Sequence, residues 1–163
     1  MRNRPYPEVE YPAENRVTAL LPLLEKNMGN LFVWDPARYS LHIGPMDDDH
    51  RKIIASMNKL HELHDAHAGQ GALARTLAEL IAITMKHFSD EETYMEKVRF
   101  PDVGKHRLIH KSLLDKMYEH KRHFEANGEL TDEFFSFLSF WLKSHICGID
   151  MKYSEFSRLP KSA

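Results

Sequence analysis

The sequence predicts an all-α fold, an up-down-up-down antiparallel four-helix bundle with an N-terminal arm. Four long segments bring apolar residues back every three to four positions, and short breaks carrying Gly, Pro or Asn separate them. No stretch alternates with a period of two. The most β-friendly run, Leu31 to Val33, is too short to be a strand and has no partner. A chain of 163 residues suits one domain able to bury its own core without disulfides.

Residues 1–30 form the arm, in which Pro5, Pro7 and Pro12 keep the chain extended or turning. Val17 to Gly29 is a candidate short helix, and its leucines would cover either this domain's core or another subunit. Residues 31–163 form the bundle. Leu31-Phe32-Val33-Trp34 is an apolar anchor, and Gly44-Pro45 reads as a breaker. Asp47-Asp48-Asp49 then reads as the acidic start of a first helix, with His50, Ile53, Ile54, Met57, Leu60, His61 and His64 on one stripe. The second helix follows the Ala68-Gly69-Gln70-Gly71 turn. Its face is Leu73, Leu77, Leu80, Ile81, Thr84, His87, Glu91 and Met95, and Pro101 is expected to stop it. Asp102 is expected to cap the third, with His106, His110, Leu113, Met117 and Phe124 inward and Asn127-Gly128 at its end. The fourth opens at Thr131-Asp132-Glu133 and carries Phe134, Leu138, Trp141, Leu142 and His145, with Gly148 expected to break it.

Composition narrows the function. A formal net charge of -2 with no basic cluster leaves no nucleic-acid footprint or polybasic membrane patch, and no segment is long and apolar enough to span a bilayer. Met1 to Pro5 is followed by charges and prolines rather than an apolar run, so it does not read as a secretory signal. One cysteine, Cys147, excludes an internal disulfide and fits a reducing, cytoplasmic compartment. Histidine is the outlier, with 11 residues.

Each helical stripe carries histidine where an apolar residue would otherwise stand. His87 and Glu91, and again His106 and His110, are four apart, about one turn, so each pair projects from one face as a two-pronged clamp. One such pair is commonplace. Two on adjacent helices, both facing inward, need a common partner, because unpaired imidazoles and carboxylates in a core cost several kcal/mol each. The antiparallel register brings the start of the first helix (His50), the end of the second (His87, Glu91), the start of the third (His106, His110) and the end of the fourth (His145) to one level. Asp150, five residues past His145, would point about 140° away on a regular helix, so it joins only if the helix loosens, which Gly148 permits. These five imidazoles and two carboxylates are too many for one tetrahedral zinc. They suit two octahedral-type ions, iron first, with manganese, cobalt or zinc as substitutes in vitro. With both carboxylates and an oxygen bridging, an ion with three imidazoles is filled and an ion with two keeps one position for a small ligand such as dioxygen.

The segment from Leu31 to Glu155 resembles the hemerythrin family, in particular its bacterial members. The resemblance rests on His50 after an acidic run, His87-Phe88-x-x-Glu91-Glu92 with Met95, His106-x-x-x-His110, and Trp141-Leu142-x-x-His145-Ile146-x-x-x-Asp150-x-x-Tyr153. It implies two iron ions bridged by oxide or hydroxide, one held by His106, His110 and His145, the open one by His50 and His87, with Glu91 and Asp150 bridging. It also implies reversible end-on binding of dioxygen at the open iron, and a pocket wall of Ile53, Phe88, Trp141, Leu142 and Ile146 that keeps water out. Asp49 departs from the family, which usually has Gln before its first histidine. The expected role is a carrier, store or sensor of dioxygen rather than an enzyme in the strict sense. Two alternatives stay open: a di-iron oxidoreductase handling peroxide or nitric oxide, and a metal-ordered sensor module that meets a protein partner or a second copy through residues 1–30.

His61, His64, His67, His120 and His123 are read as surface or half-buried histidines, and Met57, Met85, Met95 and Met117 as core filler. Glu92 is left without a role.

Overall fold

The computed structural model describes residues 29–160. Among them the elements are α1 (Pro36–Tyr39), α2 (Gly44–Asp65), α3 (Gln70–Val98), α4 (Val103–Asn127), α5 (Asp132–His145), a π-helical turn (Ile146–Asp150) and α6 (Met151–Arg158). Helices α2 to α5 are the four arms of the bundle. Connections 66–69, 99–102 and 128–131 are too short for anything but antiparallel neighbours. The candidate helix at Val17 to Gly29 and most of the arm read at residues 1–30 lie outside the described residues.

The inward stripes are those the periodicity predicts. Ile53, Met57 and Leu60 of α2 meet Leu77, Leu80 and Met95 of α3, Met117 of α4, and Phe134, Leu138 and Leu142 of α5 in a core that is fully buried. Two devices tie the lead-in segment to this core. Asn58 of α2 accepts from the Phe32 N–H at 2.9 Å and donates to its carbonyl at 2.8 Å, and the Ser154 hydroxyl of α6 donates to the Leu41 carbonyl at 2.5 Å. The anchor Phe32 is buried against Tyr39, ring centroids 5.1 Å apart.

Several local expectations are corrected. Gly44-Pro45 is the first turn of α2 rather than a break, since proline at the start of a helix gives up an N–H that has no partner anyway. Asp47 does not cap its own helix. Its buried carboxylate accepts from Leu41 N–H at 2.7 Å and Ser40 hydroxyl at 2.6 Å, pinning the loop before α2. At the end of α3 the reversal is made by Arg99, left-handed at φ 62°, with Phe100 N–H on Met95 C=O at 2.9 Å, so the helix has already ended when Pro101 arrives. Asp102 starts α4 without a side-chain cap and bonds Lys105 instead, at 2.7 Å. Gly148 does not end the last helix; the chain runs on through the π turn into α6. Met85 is 45 % exposed, not core, and its sulfur accepts from the Tyr118 hydroxyl at 3.2 Å.

Candidate metal centre

All seven predicted donors meet at one level of the bundle, and none is more than 3 % exposed. His50 comes from the second turn of α2. His87 and Glu91 come from α3, His106 and His110 from α4, each pair one turn apart. His145 is the last residue of α5, and the π turn carries Asp150 round to it, Nε2 to Oδ1 3.1 Å. The bonds of a π turn span five residues, so it returns the fifth residue to the starting face. This is the loosening that Asp150 needed.

The donors fall into two groups that share Glu91. One is Glu91 with His106, His110 and His145; the other is His50 and His87 with Glu91; within each, one ligand atom per residue lies within 4.8 Å of the rest. Glu91 Oε2 stands 3.1 Å from His110, 3.6 Å from His106 and 3.8 Å from His87, all at Nε2. Asp150 spans the same divide, Oδ2 at 3.5 Å from His50 and Oδ1 at 3.3 Å from His106. The Nε2 atoms of His110 and His145 face each other at 3.2 Å.

The fit to metal rests on atoms left without partners. Both nitrogens of His50 and His87, both oxygens of Glu91 and Asp150, and Nε2 of His106 are buried and make no hydrogen bond. Buried polar atoms are ordinarily satisfied, and so many orphans around one point are what bound metal would satisfy. The charges agree. Burial pushes the Glu91 carboxyl up, but His106 and His110, helped by His87 and His145, outweigh it and hold it well below the usual range. Asp150 is likewise pushed up by burial and by Glu91 and drawn down further by His145, His106 and His50. Both stay anionic. Burial lowers His87 to about 4, against the pull of Glu91, and lowers His145 too, so both are neutral donors at neutral pH. His106 goes the other way: burial lowers it, but Asp150 and Glu91 win and raise it to about 9.

Around the donors, Ile53, Phe88, Trp141, Leu142 and Ile146 are all buried. Phe88 lies face to face on His110, centroids 3.7 Å apart and planes 5° apart, and meets Trp141 edge-on at 6.2 Å. Three residues noted in the sequence without a role at the site contribute to it. Glu92 accepts from Nδ1 of His110 at 2.9 Å, Trp34 sits 6.3 Å from the His50 ring, and the buried Tyr153 hydroxyl is raised by burial and then by the carboxylates of Glu91 and Asp150. Glu92 and His110 are 18 residues apart, so no local spacing could have joined them. Asp49 bonds Lys52 at 2.6 Å, and its charge acts on His87 across to α3. The other histidines stay outside: His61 and His64 lie against Phe135, and His120 against Phe134 and Phe137.

A family model described as the hemerythrin HHE cation binding domain matches residues 42–156. The bacteriohemerythrin of Stenotrophomonas maltophilia is 31 % identical over 77 % of this chain and 80 % of its own length. The myohemerythrin of Riftia pachyptila is 30 % identical over 75 % of this chain and 90 % of its own. A crystal structure of wild-type hemerythrin superposes with a TM-score of 0.73 at 28 % identity, over 79 % of this chain and 99 % of that one. With the matched segment running from the loop before α2 to α6 and enclosing every one of the seven donors, the chain belongs to the hemerythrin family.

Proposed function

We propose that this chain binds dioxygen reversibly at a pair of iron ions, as a carrier, store or sensor. The observation that carries the reading is the division of the buried donors into two groups with a shared carboxylate. On this reading His106, His110 and His145 would hold one iron and His50 and His87 the other, with Glu91 and Asp150 as the carboxylates available to both. When bound, the iron pair supplies the electrons that dioxygen takes up and gives back. The protein's part is placement and exclusion. Three imidazoles against two would leave the His50–His87 side the open one, and the two anionic carboxylates would offset the ions' charge in a buried site. Ile53, Phe88, Trp141, Leu142 and Ile146 keep water, and so protons, from the bound ligand. Imidazole-rich ligation favours release over activation, whereas oxygen-activating bundles rely on carboxylates with Glu-x-x-His pairs, a spacing absent from these stripes. A cytoplasmic location belongs to the same reading, since Cys147 is a free thiol. Residues 1–30 are its partner-facing part: deleting them leaves oxygen affinity unchanged and removes self- or partner association.

The test is the iron count and optical spectrum of the protein as isolated, reduced, and returned to air. Two irons per chain, with bands that come with oxygen and fade under vacuum, support the reading. Reoxidation straight to the ferric form with no oxygenated state overturns it, and sustained turnover with peroxide assigns the chain to the oxidoreductases.

A further inference from the structure

Glu92 follows Glu91 on α3 and so points about 100° round the helix, toward α4 rather than the bundle axis. Its Oε1 lies 2.9 Å from Nδ1 of His110, its Oε2 accepts from Arg107 Nε at 3.1 Å, and Arg107 also reaches Glu96 through its other nitrogen. We propose that Glu92 is a positioning residue that sets the tautomer and donor strength of His110, and that Arg107 tunes it by sharing the carboxylate. The proposal rests on the di-iron reading above.

An ionised carboxylate can only accept, so the proton of His110 sits on Nδ1 and the Nε2 lone pair faces inward, toward Glu91 and His145. Phe88, stacked flat on the same ring, removes its remaining freedom to turn. No other donor has this support on both counts: His50 and His87 have no partner at either ring nitrogen. A charged acceptor behind an imidazole raises its basicity and strengthens it as a ligand, which favours the ferric state of the iron it holds. Arg107 draws charge off Glu92 and opposes this. An exposed Arg–Glu pair alone is worth at most about 1 kcal/mol and needs no function. Here, however, one oxygen of the pair is spent on a buried ring, while the side chains of Glu92 and Arg107 are 25 % and 44 % exposed. The pair therefore links the three-histidine side of the site to an open groove between α3 and α4.

The experiment compares Glu92→Gln, Glu92→Ala, Arg107→Gln, the Glu92→Gln/Arg107→Gln double variant, and Lys111→Gln as a control, because Lys111 lines the same groove but pairs with Asp115. Iron(II) affinity is measured by chelator competition, the midpoint potential by redox titration, and the His110 N–H by its shifted proton resonance in the reduced, loaded protein. Glu92→Ala is expected to lose about 10- to 100-fold in iron affinity. Glu92→Gln keeps an acceptor, so it retains iron, moves the midpoint positive and moves the His110 N–H resonance. Arg107→Gln moves the midpoint negative, has no further effect once Glu92 is Gln, and Lys111→Gln changes neither. Should Glu92→Ala not fold, the Gln variants still decide. Wild-type affinity, potential and N–H resonance in Glu92→Gln overturn the proposal, as do shifts that simply add in the double variant, which would be charge acting through space. Wild-type iron affinity, midpoint and N–H resonance in every variant, with oxygenation intact, would overturn this inference alone; a wild-type chain that takes up no iron overturns it together with the functional reading.

Discussion

His145 and Asp150 are five residues apart and still face each other, Nε2 to Oδ1 3.1 Å, because the segment Ile146–Asp150 winds as a π turn. An α-helix would leave them about 140° apart. The same turn puts the other oxygen of Asp150 3.5 Å from His50 on α2, so one irregularity of the backbone joins the two donor groups. Single π turns inside long helices are rare and cluster at functional sites, where a side chain must be re-aimed without ending the helix.

Gly148 sits inside that turn, yet the turn does not depend on it. Its φ is not left-handed, and a Cβ there would meet nothing within 4 Å. Gly148→Ala is therefore expected to raise stability by about 0.5–1 kcal/mol through a less flexible unfolded chain, with metal content unchanged. Gly128 is the contrast. It ends α4 at φ 81°, and a Cβ would come within 2.1 Å of the Gln70 side chain, so Gly128→Ala is expected to lose at least about 1 kcal/mol. Urea melts of the two variants decide; a destabilised Gly148→Ala would return the turn to its glycine.

Glu91 is the carboxylate both donor groups share, and its Oε2 faces His87, His106 and His110. On the di-iron reading, Glu91→Ala is expected to cost one iron per chain and to lower the stability of the metal-free protein by about 1–3 kcal/mol, since the buried imidazoles of His87, His106 and His110 lose the anionic charge that faces them. Iron analysis and denaturant melts of the variant measure both. Unchanged iron content together with unchanged melting would refute the bridging role.

What could be seen in advance follows from which interactions are periodic. The four inward stripes and the clamps His87–Glu91 and His106–His110 are set by a 3.6-residue repeat, which sequence carries directly. His50 and His145 needed only the antiparallel register in addition. Asp150 was visible as a residue type in the right place, but its route into the site is a π turn with no sequence signature of its own. Asp47 and Glu92 were misread or left aside for different reasons. Asp47 turns back onto Leu41, six residues earlier in an irregular loop that no repeat describes, and Glu92 acts on His110, 18 residues away and brought close by tertiary packing. Acidic residues near a helix start cap it often enough that the cap was the natural expectation at Asp47.

The titration of His106 predicts how metal uptake depends on pH. In the metal-free protein burial lowers this imidazole, but Asp150 and Glu91 raise it from 6.5 to about 9, so at neutral pH it holds a proton that an incoming cation must displace. Apparent affinity is then expected to rise about tenfold per pH unit below about 9 and to level off above it. His87, held at about 4, supplies no competing proton over that range. Folding of the metal-free chain responds with opposite signs at the two residues. The contribution of His106 is complete below 6.5 and is lost as pH rises through about 9; that of His87 is lost as pH falls from 6.5 through about 4. Cobalt(II) titrations and melts from pH 4 to 10 test both, and an affinity that stays flat between pH 7 and 9 would rule out proton displacement from His106.

Phe88 separates stability from ligand chemistry. Its ring is buried, stacked on His110 and edge-on to Trp141, so Phe88→Ala opens a cavity beside the donors and is expected to cost about 3–5 kcal/mol. Phe88→Leu fills most of that space with apolar atoms but gives up the flat stack, at a cost on the order of 1 kcal/mol. If the wall acts by excluding water, the oxygenated form should decay to the ferric form faster in Phe88→Ala than in wild type, and Phe88→Leu should stay near wild type. The decay is followed optically in air, at a temperature where melting shows every variant folded. Equal acceleration in both variants would place the protection in the stacking on His110. No acceleration in either would mean that the wall takes no part in holding the bound ligand.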